Sequence, residues 1–186
     1  MNSMRGGRLL YALTGAPGTG KTTAILKAID ELRKRGVKVE GMYTREIRER
    51  GRRVGFAVKR ISGGEGILAH VRLRGGPRHG KYFINLQDLE RIGVSAILDG
   101  VSDAEVVVVD EVGPMELYSE KFREAVDKLL SSPKHAILTV HYRSRDPLVL
   151  KVKRAAGKRL ITLTLENRGS IPRLIVGELL EALGRR

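Results

Sequence analysis

Gly15-Ala16-Pro17-Gly18-Thr19-Gly20-Lys21-Thr22 decides the fold. It satisfies G-x-x-x-x-G-K-[ST], a pattern that belongs between a strand and a helix. Both flanks comply: Arg8–Thr14 is apolar and runs into Gly15, as a buried strand does. Thr22–Arg35 places Ala24, Ile25, Ala28, Ile29 and Leu32 on one helical face before Gly36 stops it. A triphosphate needs several backbone N–H groups converging on one concave surface, and glycines let the chain curl without Cβ clashes. The helix start adds free amides and the positive end of a dipole. Lys21 suits the β- and γ-phosphates, and the Thr22 hydroxyl suits a Mg²⁺ bridging them. All eight residues, Gly15 to Thr22, are therefore candidate nucleotide contacts.

Downstream, Val37–Thr44 reads as a strand, Leu86–Leu98 as a helix and Glu105–Val109 as a short buried strand. Ser119–Leu130 is a helix, Ala136–Val140 a buried strand and Pro147–Ala156 a helix. Arg159–Leu165 makes a further strand and Ile171–Leu183 a closing amphipathic helix. This alternation predicts an α/β fold, a mostly parallel sheet with helices on both faces. Residues 45–82 break the rhythm. They turn at Gly51 and alternate Val54, Phe56 and Val58, the pattern of a half-buried antiparallel hairpin. With too little apolar surface to fold alone, this stretch is a β-rich insertion within a single domain spanning residues 1–186. The opening MNSMRGGRLLYALTG runs directly into the glycine loop rather than into a small-residue cleavage site. It reads as a first strand, not a signal peptide.

Glu105-Val106-Val107-Val108-Val109-Asp110-Glu111 is a valine run followed by paired carboxylates. An Asp at the tip of such a strand can hold Mg²⁺, usually through water. Glu111 beside it can accept a proton from water and orient it toward the γ-phosphate, which favours hydrolysis over transfer to an acceptor. Gly113-Pro114 ends the segment, and Pro114 or Met115 opens a helix with Glu116 in its first turn. A negative charge suits the dipole there, so Glu116 reads as capping rather than catalytic. Thr139-Val140-His141-Tyr142-Arg143-Ser144-Arg145 follows the next parallel strand, on the edge where α/β sheets bind ligands. Thr139 and His141 are candidate γ-phosphate sensors, and Arg143 and Arg145 are candidates to neutralise charge as an arginine finger in cis. Tyr43, Tyr82 and Tyr142 are candidates to stack on the base.

No apolar run approaches the length needed to cross a bilayer, so a membrane role is not expected. With zero cysteines there is no disulfide frame, thiolate metal site or cysteine nucleophile, and the cytoplasm is the simplest setting. The net charge of +14 points toward anionic partners. Along the sequence its basic residues are dispersed, and aromatics at 4% are too few to interleave a stacking platform with them. Nucleic acid is thus the less favoured partner and a nucleoside triphosphate the favoured one.

GAPGTGKTT, GMYTREIRERGRRVGF, GKYFINLQDLE, VVVVDEVGPMELYSEKF and TVHYRSRDPL, in this order, resemble the small THEP-type nucleoside-triphosphatases first described from thermophiles. The segments around Thr44–Phe56 and Asp110–Phe122 carry the resemblance more specifically than the phosphate loop. It implies a RecA-like P-loop core and Mg²⁺-dependent hydrolysis of ATP, GTP and other NTPs to NDP and phosphate. It also implies a second nucleotide-contact segment over Val106–Gly113, comprising Val106, Val107, Val108, Val109, Asp110, Glu111, Val112 and Gly113. Physically, only the Asp110–Gly113 end of that segment can reach the phosphates. Arg45 departs from the pattern, since relatives often carry an acid there. A nucleotide or nucleoside kinase and a nucleic-acid-associated ATPase are the competing readings.

Overall fold

Val106–Val109 lies inside a nine-stranded sheet, seen in a computed structural model that describes residues 7–185. Met1–Gly6 and Arg186 lie outside the described residues, as does that part of the opening segment read as leading into a first strand. The strands are β1 (Leu10–Thr14), β2 (Val39–Glu49), β3 (Arg52–Arg60), β4 (Glu65–His70), β5 (Arg78–His79), β6 (Tyr82–Ile84), β7 (Val106–Val112), β8 (His135–Val140) and β9 (Leu160–Thr162). Their spatial order is β5-β6-β4-β3-β2-β7-β8-β1-β9. From β2 to β9 neighbours run parallel, and from β2 to β5 antiparallel. The insertion is thus a wing on the edge of the parallel sheet: the hairpin the alternation gave, with β4, β5 and β6 as the further short strands or loops expected where Gly63–Gly64, Gly66 and Gly75–Gly76–Pro77 punctuate the stretch.

Alternation along β7 builds two cores, because successive side chains point to opposite faces. Val106 and Val108 pack with Ile25 and Leu32 of α1 (Lys21–Lys34) and Ile175 and Leu179 of α6 (Ile171–Ala182). Val107 and Val109 pack on the other face with Ile97 of α3 (Ser95–Asp103), Phe122 and Leu129 of α4 (Glu120–Ser131), and Val152 of α5 (Pro147–Ala156). Both faces are covered, as a parallel sheet requires. No helix among the described residues is long and apolar enough to cross a membrane.

Several boundaries differ from expectation: the Val37–Thr44 strand runs on to Glu49 and the Glu105–Val109 strand to Val112. The helix expected over Leu86–Leu98 is α2 (Leu86–Asp88), a π-helical stretch over Leu89–Val94, and then α3, which continues to Asp103. The strand expected over Arg159–Leu165 ends at Thr162, where Asn167 Nδ2 donates to Thr162 O at 2.9 Å and closes a turn. Glu116 does not start a long helix: it sits in one 3₁₀ turn, Glu116–Tyr118. The long helix α4 begins after Ser119, whose hydroxyl accepts from Phe122 N at 3.1 Å. Glu116 is also buried, so its charge meets no solvent at a helix end.

Candidate active site

The sheet order brings the phosphate loop and the acidic pair to one edge, with β8 lying between β1 and β7. Thr22 Oγ1 donates to Asp110 Oδ2 at 2.8 Å, and Thr139 Oγ1 donates to Asp110 Oδ1 at 2.6 Å. Asp110 is therefore gripped from α1 on one side and from β8 on the other. Lys21 Nζ lies over the loop, donating to Gly15 O at 2.9 Å and to Ala16 O at 3.3 Å. Ala16 O also accepts from Thr19 Oγ1 at 2.9 Å, so Ala16 and Thr19 close the loop on itself.

The carboxylates are pushed toward their neutral forms. Burial raises the Asp110 pKa, against the opposing pull of the Thr139 and Thr22 hydroxyls and the Lys21 charge. Glu111, bonded to Asp110 through a cis peptide, is raised by burial and by Asp110, with Lys21 opposing. Glu116 is raised well above the usual carboxylate range by burial and by Glu111, and its Oε2 has no hydrogen-bond partner. At Gly113 a Cβ would lie 2.4 Å from Glu111 Oε1, so this glycine makes room for the Glu111 side chain.

A cavity of about 580 Å³ is shared by Lys21, Thr22, Asp110 and Glu111. One wall is the phosphate loop and helix start, from Gly15 to Thr23; Asp110 and Glu111 lie along it, with His141 and Tyr142 at its rim. His141 is held below the usual imidazole range by burial first, then by the Lys21 and Lys153 charges. Thr139 is fully buried with its hydroxyl spent on Asp110, a different position from the γ-phosphate sensor expected. Val106, Val107, Val108, Val109 and Val112 do not reach the cavity, because their side chains fill the two cores. Of the Val106–Gly113 segment, Asp110 and Glu111 line the cavity wall.

Arg143 and Arg145 are exposed and do not line this cavity. Arg143 instead lies 5.0 Å from the Tyr142 ring. Their loop is drawn toward α5, where Asp146 caps Leu148 N at 2.9 Å and takes paired bonds from Arg123 at 3.0 and 2.8 Å. The arginines on the cavity wall are Arg45 and Arg48 of β2, which sequence reasoning missed as site residues. One signal was available: no break separates the Val37–Thr44 strand from the hairpin's turn at Gly51, so a single strand had to carry both arginines past the sheet edge. Thr44, Glu46 and Phe56 line the same wall. Arg168, in the turn after β9, lies beside the loop, its Nη1 3.8 Å from where a Cβ on Gly20 would be. Of the candidate stacking tyrosines, Tyr142 lines the cavity, while Tyr43 lines a groove with Leu26 and Ile29. Tyr82 is buried edge-on to Phe56 at 5.3 Å, its hydroxyl accepting from Arg53 Nε at 2.9 Å.

Among the described residues no group of three or more His, Cys, Asp or Glu is placed to hold a metal ion. The paired oxygens of Thr22 and Asp110 are the hard donors that suit Mg²⁺, which takes one or two protein ligands and completes its shell with phosphate and water. The residues present therefore fit that ion.

A family model described as NTPase matches residues 10–176. The nucleoside-triphosphatase THEP1 of Thermofilum pendens is 46% identical over 177 residues, covering 94% of this chain and 97% of that protein. That of Methanosarcina acetivorans is 42% identical over 178 residues, covering 95% and 99%. Among solved structures, THEP1 from the hyperthermophile Aquifex aeolicus superposes with a TM-score of 0.81 at 30% identity, covering 92% of this chain and 99% of that one. A human cancer-related nucleoside triphosphatase superposes at 0.75 and 34% identity, covering 95% and 98%.

Proposed function

We propose, from the premise that this chain belongs to the NTPase family and hydrolyses nucleoside triphosphates, that Thr22, Asp110, Glu111 and Lys21 carry the reaction. The observation that supports this most is the Thr22–Asp110–Thr139 chain of short hydrogen bonds at the cavity wall. Gly15–Thr22 cradle the phosphates through their amides, and Lys21 turns from the loop carbonyls to the β- and γ-oxygens. Thr22 and Asp110 would hold Mg²⁺, partly through water, and the ion when bound would neutralise charge between the β- and γ-phosphates. Glu111 orients the attacking water and takes its proton, and its raised pKa makes it a stronger base than an exposed carboxylate. His141 faces the same space and is kept neutral, which suits a hydrogen bond to the γ-phosphate rather than an ion pair.

The one continuous sheet supports treating residues 1–186 as a single domain with residues 45–82 inserted in it. We keep the cytoplasm as its setting, which a cysteine-free chain favours.

Glu111→Gln tests the assignment. Nucleotide affinity should stay nearly intact while turnover falls about a hundredfold, the usual scale for losing a general base. Turnover within a few-fold of the unmodified enzyme rejects the role.

A further inference from the structure

Basic residues occur along the whole chain, but the net positive charge is concentrated in the insertion. Residues 45–82 hold eleven Lys and Arg against three Asp and Glu, a net +8 of the chain's +14. They form the antiparallel wing and the outer half of β2. At the hairpin tip like charges face each other: Arg48 is the cross-strand partner of Arg53. Lys81 Nζ reaches the same place, donating to Arg53 O at 3.1 Å. Like charges directly opposed destabilise a sheet. Glu46 offsets part of this by pairing with Arg48 and Arg53, and Glu49 pairs with Arg72. Arg45, Arg50, Arg52, Arg74, Arg78 and Lys81 are exposed and make no ion pair among the described residues.

Arg50 is a second, independent observation. It shares the two-residue turn with Gly51 at φ 49° and 77°. Such a turn favours Gly, which has no Cβ, or Asn, whose short side chain bonds locally, because other L side chains are strained there. A guanidinium stands where turn chemistry asks for an amide, and nothing within the fold uses it as an ion-pair partner. An external anion would.

Aromatic surface adjoins this charge. Arg72, Arg74 and Phe83 line one open hollow. Arg78 lies 5.7 Å from the Phe83 ring and takes a hydrogen bond on its carbonyl from Tyr118, which is 45% exposed. Ile67 is the one large exposed aliphatic side chain on the wing among the described residues, so the wing has no apolar face to enter a bilayer. Regularly spaced anions with flat rings between them match cations flanked by Phe83 and Tyr118. We propose that this wing binds single-stranded nucleic acid, its phosphates along Arg50, Arg52 and Arg74 and its bases against Phe83 and Tyr118. The surface runs from the nucleotide cavity, through Arg45 and Arg48, to the hairpin tip.

Fluorescence anisotropy with labelled 15-mers of oligouridylate and oligothymidylate tests the proposal on the full chain. Neutralising about five phosphates gives a log–log salt slope near −3.5 for a single strand, so doubling the salt from about 0.1 M should weaken binding roughly tenfold. The triple variant Arg50→Asn, Arg52→Gln and Arg74→Gln should reduce the slope by about 2 and weaken binding at least tenfold. Its thermal transition should be no lower, since Asn relieves the strain at position 50, and its hydrolysis without nucleic acid should be unchanged. Arg74→Glu alone should weaken binding in the same direction. No binding at about 0.1 M salt by enzyme that hydrolyses normally overturns the proposal and leaves the hydrolytic reading standing. So does undiminished binding by the triple variant, or competition by polyglutamate or anionic vesicles as effective as that by unlabelled oligomer.

Discussion

Thr139→Val removes one hydroxyl from the buried side of the site. Thr139 is fully buried and its Oγ1 lies 2.6 Å from Asp110 Oδ1, while Thr22 holds the other carboxylate oxygen at 2.8 Å. Valine keeps the shape and the strand preference but leaves Oδ1 without a donor. A hydrogen bond to a charged group contributes about 1.5–3 kcal/mol, a factor of roughly 10 to 150 in an equilibrium constant. Losing a partner that orients a metal-holding carboxylate costs about 10- to 100-fold in metal affinity, so two routes agree on the scale. The Mg²⁺ concentration for half-maximal phosphate release should therefore rise about 10- to 100-fold at saturating NTP. Thr139→Ser, which restores the donor, should recover most of the loss. Glu111→Gln should behave differently, depressing turnover at an unchanged Mg²⁺ midpoint. A Thr139→Val enzyme with the parental Mg²⁺ midpoint and parental stability in urea would refute the reasoning, because the bond would then hold nothing in place.

Gly41 pairs with Val108 across β2 and β7: its φ is 140°, and a Cβ there would lie 1.9 Å from Val108 O. Gly41→Ala should cost about 3 kcal/mol or more through strain and overpacking, read as a lower urea midpoint; a midpoint within experimental error of the parent contradicts this. Asp146 is held below the usual carboxylate range, first by the Arg123 guanidinium. Asp146→Asn keeps a capping oxygen but removes the ion pair, which is about one quarter exposed, so about 1 kcal/mol should be lost at pH 7. A depressed folded pKa contributes stability that is fully present above the unfolded value near 3.9 and is lost as pH falls through the folded value. The gap between parent and variant should thus close on acidification below about pH 4; a gap that is constant down to pH 3 counts against the pair.

The α/β core and its chemistry were legible in the chain because local rules fix them. A strand, a glycine loop and an amphipathic helix follow one another within residues 8–35, and the valine run announces its own burial. What escaped depended on register. Arg45 and Arg48 reach the cavity because β2 continues past its parallel partner, and Arg143 and Arg145 miss it because Asp146 and Arg123 pull their loop toward α5. Glu116 escaped for another reason: three residues of 3₁₀ turn carry no periodicity to reveal that its carboxyl points inward. Thr139 looked like a residue facing ligand because β8 ends at the binding edge, yet alternation turns it toward Asp110.

β2 and β3 stay in register from Met42 to Ile47, and their pairing shifts between Ile47 and Arg48. A bulge there works as a pivot, with the Asp110 neighbourhood on one side and the Arg50-Gly51 turn on the other. Residues 49–55 at the end of the hairpin line no part of the nucleotide cavity, so their length and charge can be rebuilt without replacing a cavity residue. Evolution and protein engineers alike can therefore exchange what this enzyme touches while leaving the bond it breaks alone.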